Sequence, residues 1–299
     1  MTREPVLRPQ HRTVMRCLSE VGYATYQQLA RYGAYSPRSY THITETTTAL
    51  LDWGFVAFDF AKRGSEVGRS KRIFTYTRRG RRYCAREVPD EMLPFTTNRH
   101  DELFQEHRRG VTDLVIAAHQ FARADPERAN VLRVQIDLVT NRLPITFPLD
   151  GKAVRLIPDL WAELMIDGVR RPFAFEYDRN TERSAKGEKQ WRDKVRKYVA
   201  GLRGPIQHSF AVRGCLVAVV IDPARKELAP RRMQTLLDWT EKELTALFPR
   251  AESARQWGQL FRFAVADPGT CNPTALFTAP WWVSPFGAAP RALITLAEA

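Results

Sequence analysis

Glu176 and Asp178 are the residues whose types and spacing first suggest chemistry. They lie two positions apart in the segment FAFEYD, whose aromatic residues predict a β-strand from Phe173 to Tyr177. Side chains of a strand alternate between its two faces, so both carboxylates are expected on the same face. Asp159 adds a third acid in the preceding segment IPDLWAEL. Like charges this close repel each other, and a divalent metal, a pair of arginines or water could compensate them.

The charge of the chain indicates the class of partner. Its 299 residues include 46 Lys and Arg against 33 Asp and Glu, a formal net charge of +13. This excess favours a polyanion, and nucleic acid is the first candidate. No apolar run approaches the roughly 20 residues of a membrane-spanning helix, and the N-terminal segment lacks a signal-peptide core. We therefore expect no membrane association and a cytoplasmic location, with the four scattered cysteines reduced and mostly buried.

Three helical patterns open the chain. Val14 and Leu18 have helical spacing, TYQQLARYG predicts a second helix, and the third begins with Ser36 as its cap and Pro37 in its first turn. The segments FVAFDF and RIFTYT then alternate on either side of a Gly- and Arg-rich turn, which is typical of a β-hairpin. Together these patterns predict a winged helix-turn-helix over residues 1–88.

The third helix and the hairpin carry the residues expected to contact double-stranded DNA. The N-terminal end of such a helix usually meets base edges or phosphates, and the hairpin adds basic side chains. A charge run is often only a solvated face, and winged helices also bind proteins, but the coincidence of single-signed charge with the hairpin favours DNA. The residues assigned to this contact are Arg38, Ser39, Tyr40, Thr41, Lys71, Arg72 and Arg79.

A second domain is predicted beyond a linker. Residues 89–98 contain prolines and acids with little periodicity, which is typical of a linker. Residues 99–299 then show a long helical pattern, three or four strands, and an alternation of helix, strand, helix and strand. This order predicts an α/β domain with one mixed central sheet.

The acidic motifs resemble those of the PD-(D/E)xK nuclease superfamily. Pro158 and Asp159 form the PD element, Glu176 and Asp178 form an E-x-D element on the following strand, and a lysine-rich helix comes next. The resemblance implies a restriction-endonuclease-like fold in which Asp159, Glu176 and Asp178 are catalytic and hold Mg²⁺ or Mn²⁺. Oxygen ligands suit such hard cations, which neutralise a phosphate attacked by hydroxide.

The sequence departs from that superfamily at its lysine. Asp178 stands where the lysine would be, so a lysine from elsewhere must orient the water. We assign this catalytic role to Lys194, because Lys194 and Tyr198 are four residues apart and share a face of the next helix. Lys186 and Lys189 are alternatives.

The order of EHRRGVTDLVIA, IPDLWAEL, FAFEYDRNTE and KVRKY resembles the replication-relaxation family of plasmid and mobile-element proteins, from about residue 10 to about residue 283. The resemblance implies a winged helix, a nuclease-like domain, and protein partners in a replication or relaxation complex. The family's histidine and aspartate fall on His107 and Asp113, and its Thr-Glu segment begins at Thr181. With Tyr198, these residues are expected to position the catalytic acids without binding the metal themselves.

Three functions remain open at this level. The first is a Mg²⁺- or Mn²⁺-dependent DNA endonuclease, the second is a DNA-binding accessory or regulatory protein with a catalytically silent nuclease-like fold, and the third is an interaction protein that binds RNA or an acidic tail. For the acids, the structural alternative is an ion-pair pocket with Arg170, Arg171 and Arg179. The sequence does not specify the oligomeric state or the DNA site.

Overall fold

The computed structural model describes residues 5–33, 35, 40–60, 72–87, 102–136, 145–179, 185–224, 227–283 and 289–294. It divides into two compact units, of which the first takes in the chain to Gln120 and the second most of the chain from Phe121 onward. No helix in these described ranges is both long enough and apolar enough to cross a membrane. The following predicted features lie outside the described residues: the linker 89–98, the hairpin turn within 61–71, Ser36, Pro37, Arg38, Ser39, Lys71, Thr181 and the side chain of Tyr40.

The first unit opens with helices packed on a small sheet. Its elements are α1 (Pro9–Val21), β1 (Tyr23–Thr25), α2 (Tyr26–Tyr32), α3 (Tyr40–Asp52), β2 (Val56–Phe60), β3 (Arg72–Tyr76) and α4 (Arg78–Glu87). The described strands pair antiparallel in the order β1-β3-β2. This is the topology of the predicted winged helix-turn-helix. Strand β1 was not predicted, because three residues are too few to show an alternating pattern.

The helices begin and pack as their sequences dictate. Thr25 caps α2, since its Oγ1 accepts from the backbone N of Gln28 at 3.3 Å while the side chain of Gln28 accepts from the backbone N of Thr25 at 3.0 Å. Apolar residues at helical spacing in α1 and α3 are buried, namely Val14, Met15, Leu18, Val21, Ile43 and Leu50, whereas Leu51, also expected on the buried face, is half-buried.

One threonine and one glycine hold α4 against the segment before β2. Thr77 Oγ1 donates to the carbonyl oxygen of Gly54 at 2.6 Å and accepts from the backbone N of Gly80 at 3.0 Å. A Cβ at position 80 would lie 1.9 Å from the carbonyl oxygen of Phe55, so only glycine permits this approach. The segment RRGRR is therefore a helix start whose glycine faces inward.

Helix α5 (Glu102–Ala124) contributes its residues up to Gln120 to the first unit. Arg31 of α2 donates to Asp113 at 2.6 Å, and Arg108 donates to the carbonyl oxygen of Val21 at 3.0 Å. These contacts join α5 to the winged helix within that unit. The helix predicted to open the second domain therefore also belongs to the packing of the first.

The second unit is built on the predicted mixed sheet. Its elements are β4 (Ala129–Ile136), β5 (Ile145–Leu149), β6 (Lys152–Leu156), β7 (Leu160–Ile166), β8 (Val169–Asp178), α6 (Ala185–Leu202), α7 (Pro205–Phe210), β9 (Leu216–Ile221), α8 (Ala229–Leu247), α9 (Ala251–Gly258), β10 (Phe261–Val265), α10 (Pro273–Thr278), β11 (Pro280–Val283) and β12 (Arg291–Ala292). In the described chain the main sheet has the order β12-β11-β10-β9-β8-β7-β4.

Strand direction changes within this sheet. Strand β7 is antiparallel to β4 and β8, whereas β9 is parallel to β8 and β10. Strands β5 and β6 form a separate hairpin. The segment AVRLIPDLWAELMID contains two successive strands, β6 and β7, which belong to different sheets.

The alternation along β8 divides its side chains between the faces of the sheet. Phe173 and Phe175 are buried near Phe277 of α10, with ring centroids 6.3 and 6.2 Å away. On the opposite face, Glu176 contacts α6 and Asp178 contacts α8. The period of two therefore puts both acids on one face, although each meets a different helix.

Candidate functional site

Glu176 lies at the centre of a buried polar cluster. Its side chain is 3% exposed, and each carboxyl oxygen has a partner on α6. Lys194 Nζ donates to Oε2, and the Tyr198 hydroxyl donates to Oε1. The shared helix face of Lys194 and Tyr198 is thus directed at this carboxyl.

Asp159 approaches the same strand from the turn before β7. Its Oδ2 accepts from the backbone N of Tyr177 at 2.8 Å, one residue from Glu176. Burial raises the pKa of the Glu176 carboxyl to about 8, against the opposing charge of Lys194 and with a contribution from the negative charge of Asp159. The raised pKa favours the protonated form of Glu176, which repels Asp159 less than the carboxylate does.

This burial predicts a pH-dependent stability. Between the ordinary pKa of 4.5 and the folded value of about 8, the native state keeps a proton that the unfolded chain has lost. The free energy of unfolding should therefore fall as pH rises through this window, by on the order of a few kcal/mol, and then level off. Glu176→Gln, which mimics the protonated form, should flatten this slope. Urea unfolding from pH 5 to 9 measures it, and equal slopes in the two proteins would contradict the assignment.

Asp178 is neutralised by an arginine. Arg232 of α8 makes a bidentate ion pair with it: Nε donates to Oδ1 at 3.0 Å, and Nη2 donates to Oδ2 at 2.7 Å. The Arg232 side chain is only 5% exposed. The ion-pair alternative therefore applies to Asp178, but with an unpredicted partner. Arg170, one of the three arginines expected there, instead donates to Glu163 at 2.7 Å.

The buried charges on this face were not predicted from the sequence, although a signal exists for two of them. Arg232 and Glu243 lie on α8 at spacings of i−4 and i+7 from buried Leu236, so both fall on the apolar face of that helix. A charge at a core-facing position requires a buried partner. Such positions therefore predict ion pairs, even where the partner is unknown.

The acids do not fit a divalent metal in this arrangement. Both oxygens of Glu176 accept hydrogen bonds, both oxygens of Asp178 bind an arginine, and one oxygen of Asp159 accepts a backbone amide. Within the described ranges, no three or more His, Cys, Asp or Glu side chains are grouped to hold an ion. The ammonium group of Lys194 is the cation next to Glu176.

The residues expected to support the acids are divided between several places. Tyr198 contacts Glu176, whereas the carboxylate of Asp113 binds Arg31 in the first unit. Burial raises the pKa of Asp113, and the charge of Arg31 opposes that shift. Asp113 therefore connects α5 to α2 in the first unit. His107 is half-buried on α5.

The first unit presents a basic surface on α4 and at the start of β3. Arg72 and Arg79 are exposed, and their guanidinium groups lie 4.8 Å from the ring centre of Phe58 and 5.4 Å from that of Phe55. Stacking on an aromatic ring holds each charge in place at the surface. Helix α4 also presents the exposed side chains of Arg78, Arg82 and Arg86.

The exposed side chains of α3 are polar, and two of them are acidic. They are hydroxyl-bearing residues with one histidine and two acids, namely Thr41, His42, Thr44, Glu45, Thr48 and Asp52. Side chains of this kind can donate to and accept from the edges of bases. The unit thus combines a hydrogen-bonding helix face with an arginine-rich surface.

Comparisons with known proteins give one family match. The model of the family described as Replication-relaxation matches residues 15–212, about two thirds of the chain. No curated protein matches the sequence. Among solved structures, the crystal structure of Bacillus subtilis PadR in complex with operator DNA is similar at 14% identity, over 41% of this chain and 72% of that chain, with a TM-score of 0.23.

Proposed function

Because the chain belongs to the replication-relaxation family, we propose that it binds duplex DNA and acts in DNA replication or relaxation. The observation that carries this proposal is the exposed arginine surface of α4 and β3 in the same unit as the polar face of α3. The net charge of +13 agrees with a polyanionic partner.

The two surfaces have different roles in this proposal. Arg72, Arg79 and Arg82 bind phosphates, which supplies affinity without sequence preference. Helix α3 enters the major groove, where threonine hydroxyls bind either type of base edge and the Glu45 carboxylate accepts from the amino group of cytosine. Specificity then comes from α3, and most of the affinity comes from the arginines.

We propose further that the second unit has a nuclease-like fold that does not cleave DNA. The mixed sheet and the nearness of Asp159 to the end of strand β8 support the fold. The absence of cleavage is supported by the surroundings of the acids, because burial raises the pKa of Glu176 and Arg232 binds both carboxylate oxygens of Asp178. The unit therefore serves the complex through binding rather than through hydrolysis.

Metal-dependent DNA cleavage is the second candidate. The observation that favours it is that the negative charge of Asp159 acts on the Glu176 carboxyl, which also accepts a hydrogen bond from Lys194. Mg²⁺ or Mn²⁺ would have to displace Lys194 and would require the Glu176 carboxyl to lose its proton.

One experiment separates these functions. The full chain is incubated with labelled linear duplex and with supercoiled plasmid, in EDTA, Mg²⁺ or Mn²⁺, and both mobility shift and strand breaks are measured. We expect a shift in all three conditions and no breaks in any. Mn²⁺-dependent nicking that is lost in Glu176→Gln would establish the nuclease instead. Absence of any shift at low salt would refute the DNA-binding proposal.

A further inference from the structure

Glu243 is a second buried carboxylate, on α8, and it is not part of the Glu176 cluster. Its side chain is 1% exposed, and two arginines of α6 bind it. Arg192 Nε donates to Oε2 at 2.8 Å, and Arg196 Nε donates to Oε1 at 2.9 Å. Burial of a carboxylate costs several kcal/mol unless it is well paired, so Glu243 depends on these two arginines.

The arginines in turn are held by Glu243 and reach the surface. Their side chains are 27% and 41% exposed. Each guanidinium has five N–H donors, so donors remain after the contacts with Glu243. Arginines fixed in this way lose little freedom when they bind a further anion, which makes them suited to binding phosphate.

A groove of about 670 Å³ lies over this arginine pair and along α6. It is also lined by Lys186, Lys189 and Gln190. The acids of the groove are already paired, since Glu188 binds Lys242 at 2.7 Å and Asp193 binds Lys197 at 2.7 Å. The groove and these two lysine partners together have more basic than acidic side chains. The six basic residues are Lys186, Lys189, Arg192, Arg196, Lys197 and Lys242, and the three acids are Glu188, Asp193 and Glu243.

The groove is separate from the acids of β8. With about 100° of rotation per residue, Lys194 lies roughly 160° around α6 from Arg192 and Arg196. Lys194 faces Glu176 on the sheet, whereas the arginine pair faces α8. The two sites therefore lie on opposite flanks of the same helix.

We propose that this groove is a second DNA-binding site that binds the phosphodiester backbone independently of the winged helix. Lys186, Lys189, Arg192 and Arg196 extend over ten residues of helix, roughly 15 Å, which is the axial length of about four nucleotides of one strand. Planar guanidinium groups match phosphate oxygens, and the two lysines add point charges. The inference rests on the proposed function in taking DNA as the ligand.

The test uses the full chain with Arg72→Gln and Arg79→Gln, which weakens the winged-helix site, and a short fluorescein-labelled duplex, with the binding constant measured over a range of salt concentrations. Lys186→Gln with Lys189→Gln should lower the slope of log K against log salt by about 1.8, or 0.9 for each phosphate contact. Lys152→Gln with Arg155→Gln is the matched control, since both residues are exposed on the β5–β6 hairpin of the same unit. This control should leave the slope unchanged.

Glu243→Gln tests the groove in a second way, because net charge and loss of the ion pair predict opposite changes in DNA affinity. If only net charge mattered, loss of a negative charge would strengthen DNA binding. We expect weaker binding, because Arg196 loses its charged partner and Arg192 keeps only its contact with Glu188 at 3.5 Å. Thermal unfolding checks that Glu243→Gln is folded. If it is not, the salt slope of the variant with Lys186→Gln and Lys189→Gln still tests the groove.

The outcomes distinguish this inference from the proposed function. Equal slopes for the groove variant and its control would overturn the second site, while Arg72→Gln with Arg79→Gln still tests the winged helix. Loss of all DNA binding in the unmodified chain would overturn both. Binding of labelled poly-glutamate that is lost in the lysine variant, with no change in the salt slope for DNA, would assign the groove to an acidic protein and overturn the DNA assignment.

Discussion

Arg72→Gln combined with Arg79→Gln is expected to weaken the binding of duplex DNA by the full chain by between about tenfold and a hundredfold near physiological salt. Each arginine is exposed and held on an aromatic ring, so each is positioned to neutralise one phosphate. Loss of two such contacts should also lower the salt slope by about 1.8, because fewer counterions are released. Fluorescence anisotropy at several salt concentrations measures both effects.

The control for this prediction removes equal charge elsewhere. Lys152→Gln with Arg155→Gln lowers the net charge by the same amount without touching the first unit. If net charge alone attracted DNA, both double variants would bind equally weakly. That result, or an affinity of the Arg72 and Arg79 variant equal to that of the unmodified chain, would contradict the proposed interface.

Asp178→Asn is expected to lower the free energy of unfolding by about 3 to 5 kcal/mol, because it leaves a buried guanidinium without its carboxylate. Arg232 is 5% exposed and binds Asp178 through two hydrogen bonds. A metal ligand would behave in the opposite way, since removal of one acid from a cluster of acids stabilises a metal-free protein. Urea unfolding in EDTA therefore distinguishes a structural ion pair from a metal site.

Two further variants support this measurement. Asp193→Asn breaks an exposed pair with Lys197 on the surface of α6 and should cost less than about 1 kcal/mol. Asp178→Asn with Arg232→Met removes both charges, keeps an apolar stem against Trp239, and should recover much of the lost stability. A single variant as stable as the unmodified protein would refute the structural role of Asp178.

Local periodicity in the sequence determined the order of the elements and the faces of single elements. The hairpin, the helices around it and the mixed sheet follow from patterns that repeat within a few residues. The same holds for the common face of Glu176 and Asp178 and for that of Lys194 and Tyr198, because each pair lies within one strand or one helix.

Tertiary structure alone decided what these side chains meet. Asp178 and Arg232 are 54 residues apart, and Asp113 and Arg31 are 82 residues apart, so no local pattern relates them. The raised pKa of Glu176 also depends on the fold, because desolvation comes from every element packed around the carboxyl. The sequence therefore indicated where charges are found, whereas their neutralisation depended on contacts between distant elements and on the exclusion of water.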